Sequence, residues 1–107
     1  MVIIRSDILW SDPIDNEKGI CNPAFKPNSV RGCSFYFGKE AVSTFLKKNS
    51  LRYIIRGHEA QAEGFKMHKW DGENEFPNVI TIFSAPNYCD AYKNKGAFIK
   101  FEVFLLE

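Results

Sequence analysis

The chain has 107 residues and a mass of 12.3 kDa, the size of one small domain or of part of a larger one. A composition that is 45% hydrophobic and 25% charged excludes intrinsic disorder, which needs low hydrophobicity and high net charge. The formal net charge of +1 argues against a nucleic-acid-binding protein, because affinity for phosphate backbones comes from clustered positive charge.

The amino-terminal residues and the cysteines bear on the cellular compartment. The apolar run in residues 1–10 is interrupted by Arg5 and Asp7. It is far shorter than the roughly 20 apolar residues of a membrane span, so we predict no membrane span. Three cysteines without a Cys-x-x-Cys pair argue against a disulfide framework and against a thiolate zinc site. Reduced thiols favour a cytoplasmic location, or a nuclear one as well.

The middle of the chain changes from loop-like to helical sequence. Residues 10–30 are rich in Pro, Asn and Gly, which predicts an irregular loop. A helix is predicted over residues 39–48, because apolar side chains recur there at helical spacing and lysines occupy the last turn. The apolar positions of this helix are Ala41, Val42, Phe45 and Leu46.

Four later stretches have the pattern of strands, namely residues 51–56, 64–70, 79–83 and 97–105. The third is almost entirely apolar and β-branched, which predicts a strand buried on both faces. The second and fourth alternate, and the second places His68 at the surface. One main helix with four or five strands predicts an α/β fold, called α+β in some schemes.

The candidate functional residues remain ambiguous when they are taken one at a time. His58 follows a strand, where it is either a metal ligand or a hydrogen-bonded structural histidine. Arg31 either grips a phosphate with its planar guanidinium or is an exposed arginine without a role. Asp12 precedes a proline and is interpreted as a turn initiator. Asn87 and Tyr88 follow a buried strand, where turn residues are common.

Four stretches are informative together: residues 7–13 (Asp-Ile-Leu-Trp-Ser-Asp-Pro), 28–34 (Asn-Ser-Val-Arg-Gly-Cys-Ser), 55–61 (Ile-Arg-Gly-His-Glu-Ala-Gln) and 83–89 (Phe-Ser-Ala-Pro-Asn-Tyr-Cys). In sequence, order and spacing they resemble the carboxy-terminal half of the catalytic domain of the phosphoprotein phosphatases, the metal-dependent protein serine/threonine phosphatases. Within that family the chain is most similar to the calcineurin branch, from which Cys89 departs.

The resemblance implies a role for each candidate. His58 matches a metal ligand, Arg31 matches a catalytic arginine that holds the substrate phosphate, and Arg56 supports the site. Tyr88 matches a catalytic and substrate-binding tyrosine, and Asn87 is its substrate-binding neighbour. The implied reaction is hydrolysis of phosphoserine and phosphothreonine by water that two divalent metal ions activate, the ions being iron, zinc or manganese.

The resemblance also implies that residues 1–107 are a partial catalytic domain, the carboxy-terminal part of a metallophosphatase β-sandwich without its amino-terminal half. His58 is then the single metal ligand present, and the chain alone is expected to be inactive, with exposed apolar patches on the helix at 39–48 and the strand at 79–83. The implied partners are phosphoprotein substrates and, through segments absent here, a calcineurin-B-like regulatory subunit and calmodulin. Two alternatives stay open: a non-enzymatic protein-binding module that keeps the substrate-groove face, and a thiol-bearing structural remnant.

Overall fold

The computed structural model describes residues 2–15, 23–70 and 76–102, with side chains from residue 5 onward. Its helices are α1 (Val2–Trp10) and α2 (Lys39–Lys48), and its strands are β1 (Asp12–Pro13), β2 (Phe25–Pro27), β3 (Phe35–Phe37), β4 (Ile54–Arg56), β5 (Phe65–His68) and β6 (Val79–Ile82). The predicted mixed α/β architecture is confirmed. Within the part of the chain described, neither helix is long and apolar enough to cross a membrane.

The strands form two small sheets with the same internal arrangement. The first sheet has the order β1-β3-β2, and the second has the order β4-β6-β5. In each sheet the central strand pairs with one parallel neighbour and one antiparallel neighbour. The parallel strands β1 and β4 supply two residues of the site described below, Asp12 and Arg56.

Helix α2 packs against both sheets and forms the core with them. Val42 and Leu46 are buried one turn apart and pack with Val79 of β6. Three half-buried side chains complete this cluster, namely Phe37, Ile54 and Trp70. The predicted helix boundaries are confirmed, and the lysines of the last turn suit the negative end of the helix dipole.

The prediction of an irregular loop over residues 10–30 is wrong at two places, and helix α1 was not predicted. Strand β1 pairs with β3 across more than 20 residues of sequence, and β2 pairs with β3 from the other side. These strands have two or three residues each, which is too short for a periodic pattern. The partner of β1 is distant in the chain, so the local sequence carries no signal for that pairing, whereas β2 and β3 pair close in sequence but are too short to be recognised.

The two faces of β5 are reversed relative to the prediction. His68, expected at the surface, is only 5% exposed, whereas the apolar Phe65 and Met67 are 46% and 49% exposed. The reason is the pairing of His68 with Val79, which places both on the face of the sheet that α2 covers. Strand β6 is buried, so the expected exposed patch at residues 79–83 is wrong as well. On α2, Phe45 is half-exposed.

The predicted strand at 97–105 is wrong over residues 97–102, which form no strand, and residues 103–105 lie outside the described part. Ala97 donates its N–H to the Phe83 carbonyl at 3.0 Å, and Lys95 donates to the Ala62 carbonyl at 2.8 Å. Segment 95–97 therefore crosses two loops and does not add a strand to the sheet. Gly64, with φ of 81°, permits this crossing, because a Cβ there would lie 2.7 Å from the Ala97 nitrogen.

Candidate functional site

A buried carboxylate, Asp12, lies at the centre of the candidate site. It is 3% exposed and accepts hydrogen bonds from the Nδ2 of Asn28 at 2.8 Å and the Nε of Arg31 at 2.9 Å, both at Oδ2. Its Oδ1 accepts a bond of 2.9 Å from Nη2 of Arg56. Asn28 also accepts the backbone N–H of Arg31 at 3.0 Å. One carboxylate thus orients two arginines that are 25 residues apart in the chain.

The charge of Asp12 is stabilised despite its burial. Burial alone favours the neutral acid, but hydrogen bonds from Arg31 and Asn28 and the positive charges of Arg31 and Arg56 outweigh it. The pKa of Asp12 therefore lies below its ordinary value. In return, the hydrogen bond to Asp12 raises the pKa of Arg31. Burial raises the pKa of Glu59, although the neighbouring Arg56 opposes this shift.

Arg56 connects this carboxylate to the second sheet. Besides Asp12 it donates to the Ser11 carbonyl at 3.1 Å, to Glu59, and to the Thr81 hydroxyl at 3.3 Å. The Thr81 hydroxyl lies 3.0 Å from Nε2 of His68. Polar contacts therefore run without a break from β1 through β4 and β6 to β5, and these contacts hold Arg56 in one orientation.

His58 lies at the edge of the same cluster and is exposed. Its φ of 83° is strained for a residue with a Cβ, and such strain is concentrated at functional sites. Its ring meets the edge of Trp10 at a centroid distance of 5.1 Å, and both rings line a shallow groove with residues 8 and 9 of α1. Partial burial first, and then the charges of Arg31 and Arg56, lower the pKa of His58.

The residues present can supply one ligand to a metal centre, but they do not form a complete metal centre. A neutral His58 imidazole has a lone pair available for a divalent cation. The Asp12 carboxylate, whose charge acts on His58, has both oxygens engaged by arginines and Asn28. Across the described ranges, no group of three or more His, Cys, Asp or Glu side chains is placed to hold a metal ion.

Tyr88 and Asn87 form a second cluster on the loop after β6. The Tyr88 ring is 45% exposed and packs edge-on against Phe83 at 5.1 Å and against Tyr92 at 5.6 Å. Asn87 has φ of 46° and accepts the backbone N–H of Lys93 at 3.2 Å. Among the described residues no hydrogen bond or ring contact joins this loop to the arginine cluster.

The structure thus brings together three of the five predicted site residues, Arg31, Arg56 and His58, and keeps Asn87 and Tyr88 on a separate loop. The residue missed by the sequence reasoning is Asp12, interpreted as a turn initiator. Its position in residues 7–13, one of the four stretches that carry the family resemblance, was the available signal. The roles assigned to the five residues stay predictions.

The comparisons with known proteins agree with one another. The sequence profile of the calcineurin-like phosphoesterases matches residues 2–62. The chain is 48% identical over 107 aligned positions to serine/threonine-protein phosphatase 2B catalytic subunit A1 of Saccharomyces cerevisiae, covering 92% of this chain and 19% of that protein. It is 43% identical over 99 positions to serine/threonine-protein phosphatase 5 of Solanum lycopersicum, covering 92% and 16%.

A solved structure gives the same result. A Saccharomyces cerevisiae protein serine/threonine phosphatase with similarity to human phosphatase PP5 superposes with a TM-score of 0.63 at 32% identity, covering 83% of this chain and 24% of that one. The chain therefore spans about a fifth of the length of the curated relatives it matches.

Proposed function

The chain belongs to the calcineurin-like phosphoesterase family, and from that premise we propose that it contributes the phosphate-gripping part of a protein serine/threonine phosphatase. Its similarity to phosphatase 2B and phosphatase 5 subunits supports this reaction class. Because it spans about a fifth of those relatives, we propose that it acts as the carboxy-terminal part of a larger catalytic domain.

One observation carries the proposal: the buried Asp12 carboxylate, whose pKa is lowered, holds the Arg31 guanidinium by hydrogen bonds in the cluster that His58 borders. Asp12 engages Nε of Arg31 at 2.9 Å and Nη2 weakly at 3.5 Å. The guanidinium is thereby oriented by one edge, and its remaining N–H groups are available to phosphoryl oxygens. A planar fork of donors fixed before substrate arrives is suited to bidentate phosphate recognition.

The chain's own residues then have distinct tasks. Arg31 binds the phosphate and offsets charge that develops on its oxygens, Arg56 keeps Asp12 ionised and in place, and Trp10 fixes the His58 ring. The family implies divalent metal ions, and we propose that His58 contributes one ligand to iron, zinc or manganese. When bound, such ions supply Lewis-acid polarisation of the phosphoryl group. Tyr88 contacts the substrate beside the phosphate, with Asn87 next to it.

The partners and the location are proposed on coarser grounds. Phosphoproteins are the substrates implied by the relatives, whose names identify protein phosphatases. The similarity to a phosphatase 2B subunit supports regulation by a calcineurin-B-like subunit and calmodulin through segments outside this chain. A cytoplasmic or nuclear location is proposed from the free thiols of Cys33 and Cys89.

The test replaces the matching segment of the yeast phosphatase 2B catalytic subunit A1 with these 107 residues. We expect the chimera to hydrolyse a phosphoserine peptide with manganese, and Arg31→Ala to lower kcat/KM by about 100-fold or more, as the loss of a charge-stabilising donor does. Arg52→Ala is the matched control, because Arg52 is exposed and lies outside the cluster, and it should leave kcat/KM unchanged. A folded but inactive chimera, or equal effects of the two substitutions, would contradict the proposal.

A further inference from the structure

The loop that carries Tyr88 is closed by a buried side chain to which the sequence assigned no role. Asn94 is only 6% exposed, although it lies in a loop between exposed neighbours. A buried amide must satisfy its donors and its acceptor within the protein, so its partners show what it holds in place.

Both ends of the Asn94 amide bond to the loop. Its Nδ2 donates to the carbonyls of Ala85 at 2.8 Å and Lys95 at 2.9 Å, on the two sides of the loop. Its Oδ1 accepts the backbone N–H of Tyr88 at 2.9 Å. Its main-chain carbonyl accepts the N–H of Asn87 at 2.8 Å. One residue therefore links Ala85 and Lys95, at the two ends of the loop, to the backbone of Tyr88 by hydrogen bonds.

The loop needs these hydrogen bonds because its backbone is strained. Four residues with a Cβ adopt the left-handed region within seven positions, namely Asn87, Cys89, Asp90 and Lys93, with φ values of 46°, 55°, 55° and 52°. Conformations of this kind persist only where the surroundings over-determine them. Asn87 and Asp90 bond to each other at 3.3 Å, but both are exposed, so Asn94 supplies the buried part of that constraint.

We propose that Asn94 is a positioning residue for Tyr88, and this inference rests on the proposed function of Tyr88 at the substrate. The amide fixes the Tyr88 backbone nitrogen, and Phe83 and Tyr92 then set the direction of the ring. Without the amide the strained loop relaxes, and the phenol leaves the position at which it meets substrate. Asn94 itself contacts no substrate and acts through Tyr88.

The first test observes the ring directly in the 107-residue chain labelled with 3-fluorotyrosine. Asn94→Asp keeps an oxygen for the Tyr88 N–H but places the other oxygen against two carbonyls, and Asn94→Ala removes every side-chain bond. We expect either variant to move the Tyr88 fluorine resonance toward its unfolded position, while those of Tyr36 and Tyr53 stay. Asn49→Asp is the matched control, because Asn49 also donates to a carbonyl, at 2.8 Å, but is exposed at the end of α2.

Two outcomes of this measurement overturn the proposal. An unchanged Tyr88 resonance in both variants means that the amide does not position the ring. If all four tyrosine resonances move to their unfolded positions together, Asn94 stabilises the whole fold and not the loop in particular. A Tyr88 shift confined to the Asn94 variants supports it.

The second test is kinetic and uses the chimera with the yeast subunit. Asn94→Ala is expected to lower kcat/KM by about tenfold when Tyr88 is present, and by less than about twofold in a Tyr88→Phe background. Equal losses in both backgrounds overturn the positioning role. A folded chimera without turnover refutes the proposed function instead, and the fluorine resonance still decides the role of Asn94.

Discussion

Replacing Asp12 with asparagine removes the charge at the centre of the site and keeps the shape of the side chain. The carboxylate is 3% exposed and accepts three bonds of 2.8 to 2.9 Å, from Asn28, Arg31 and Arg56. All three partners can only donate at these atoms. An amide in place of the carboxylate turns one acceptor oxygen into a donor that faces other donors, and it leaves two guanidinium groups without their counterion.

The size of the effect follows from how deeply the partners are buried. Breaking a buried ion pair by removing one partner costs about 3–5 kcal/mol. The Arg31 side chain is 27% exposed and that of Arg56 is 13% exposed, so water recovers part of the loss at Arg31. We therefore expect the lower end, about 3 kcal/mol of unfolding free energy. For a domain of this size that lowers the melting midpoint by about 12 °C or more.

The assay is urea unfolding at pH 7, followed by the fluorescence of Trp10 and Trp70. Asp15→Asn is the matched control, because Asp15 lies three residues away and makes an exposed ion pair with Lys66. Such a pair contributes less than about 1 kcal/mol. If the wild-type chain has less than about 3 kcal/mol of stability in total, Asp12→Asn will be unfolded without urea.

The pH dependence gives a second, independent check. The folded pKa of Asp12 is below its unfolded value, so its contribution to stability is complete above an unfolded pKa of about 3.9 and is lost as the pH falls through the folded pKa. The difference between wild type and Asp12→Asn should shrink below about pH 4. The reasoning is refuted if Asp12→Asn matches Asp15→Asn at pH 7, or if the difference persists unchanged in acid.

Two further predictions concern the histidines. Burial first, and then the charge of Lys66, lower the pKa of His68 to about 4, so the free energy of unfolding should fall as the pH decreases from about 6.5 to about 4. Urea unfolding of His68→Phe should show no such pH dependence. If the pH dependence persists in that variant, His68 is not its source. His58 is a single metal ligand in the described residues, so calorimetry of the isolated chain should give a manganese dissociation constant weaker than the micromolar range, and His58→Ala should weaken the binding further. Micromolar binding that depends on His58 would contradict it.

The parts of the fold that were predictable are the elements long enough to show a pattern in the sequence. Helix α2 and strand β6 depend on apolar periodicity and on β-branched composition, and both lie where the sequence indicated. Strand β5 was located, but alternation alone cannot tell which face meets the core. That choice is made by α2, which covers the His68 side and leaves Phe65 exposed. Strand β1 depends on long-range pairing with β3, and strands β2 and β3 are too short to show a pattern, so none of the three was predictable locally.

The candidate site was predictable only in part, for a related reason. His58 and Arg31 were identified from a resemblance, and the structure places them in one cluster. Asp12, which assembles that cluster, has a local sequence typical of a turn, and its function depends on arginines 19 and 44 residues away. Asn94 is similar, since an asparagine before Lys95 is typical of a turn until its burial is known. The burial of such a residue and its distant hydrogen-bond partners are set by the tertiary structure, so the local sequence does not indicate them.

The contact between Asp12 and Arg56 also has a consequence for how the chain acquires its site. The two residues are separated by 44 positions and belong to different sheets. Contacts of such long range carry a large loop-closure cost, so they form after local helices and hairpins. Arg31 is oriented by the same carboxylate, so the full cluster of Asp12, Arg31 and Arg56 is complete only when both sheets have met. A chain emerging from the ribosome cannot complete the contact between Asp12 and Arg56 before residue 56 has been synthesised and folded against β1.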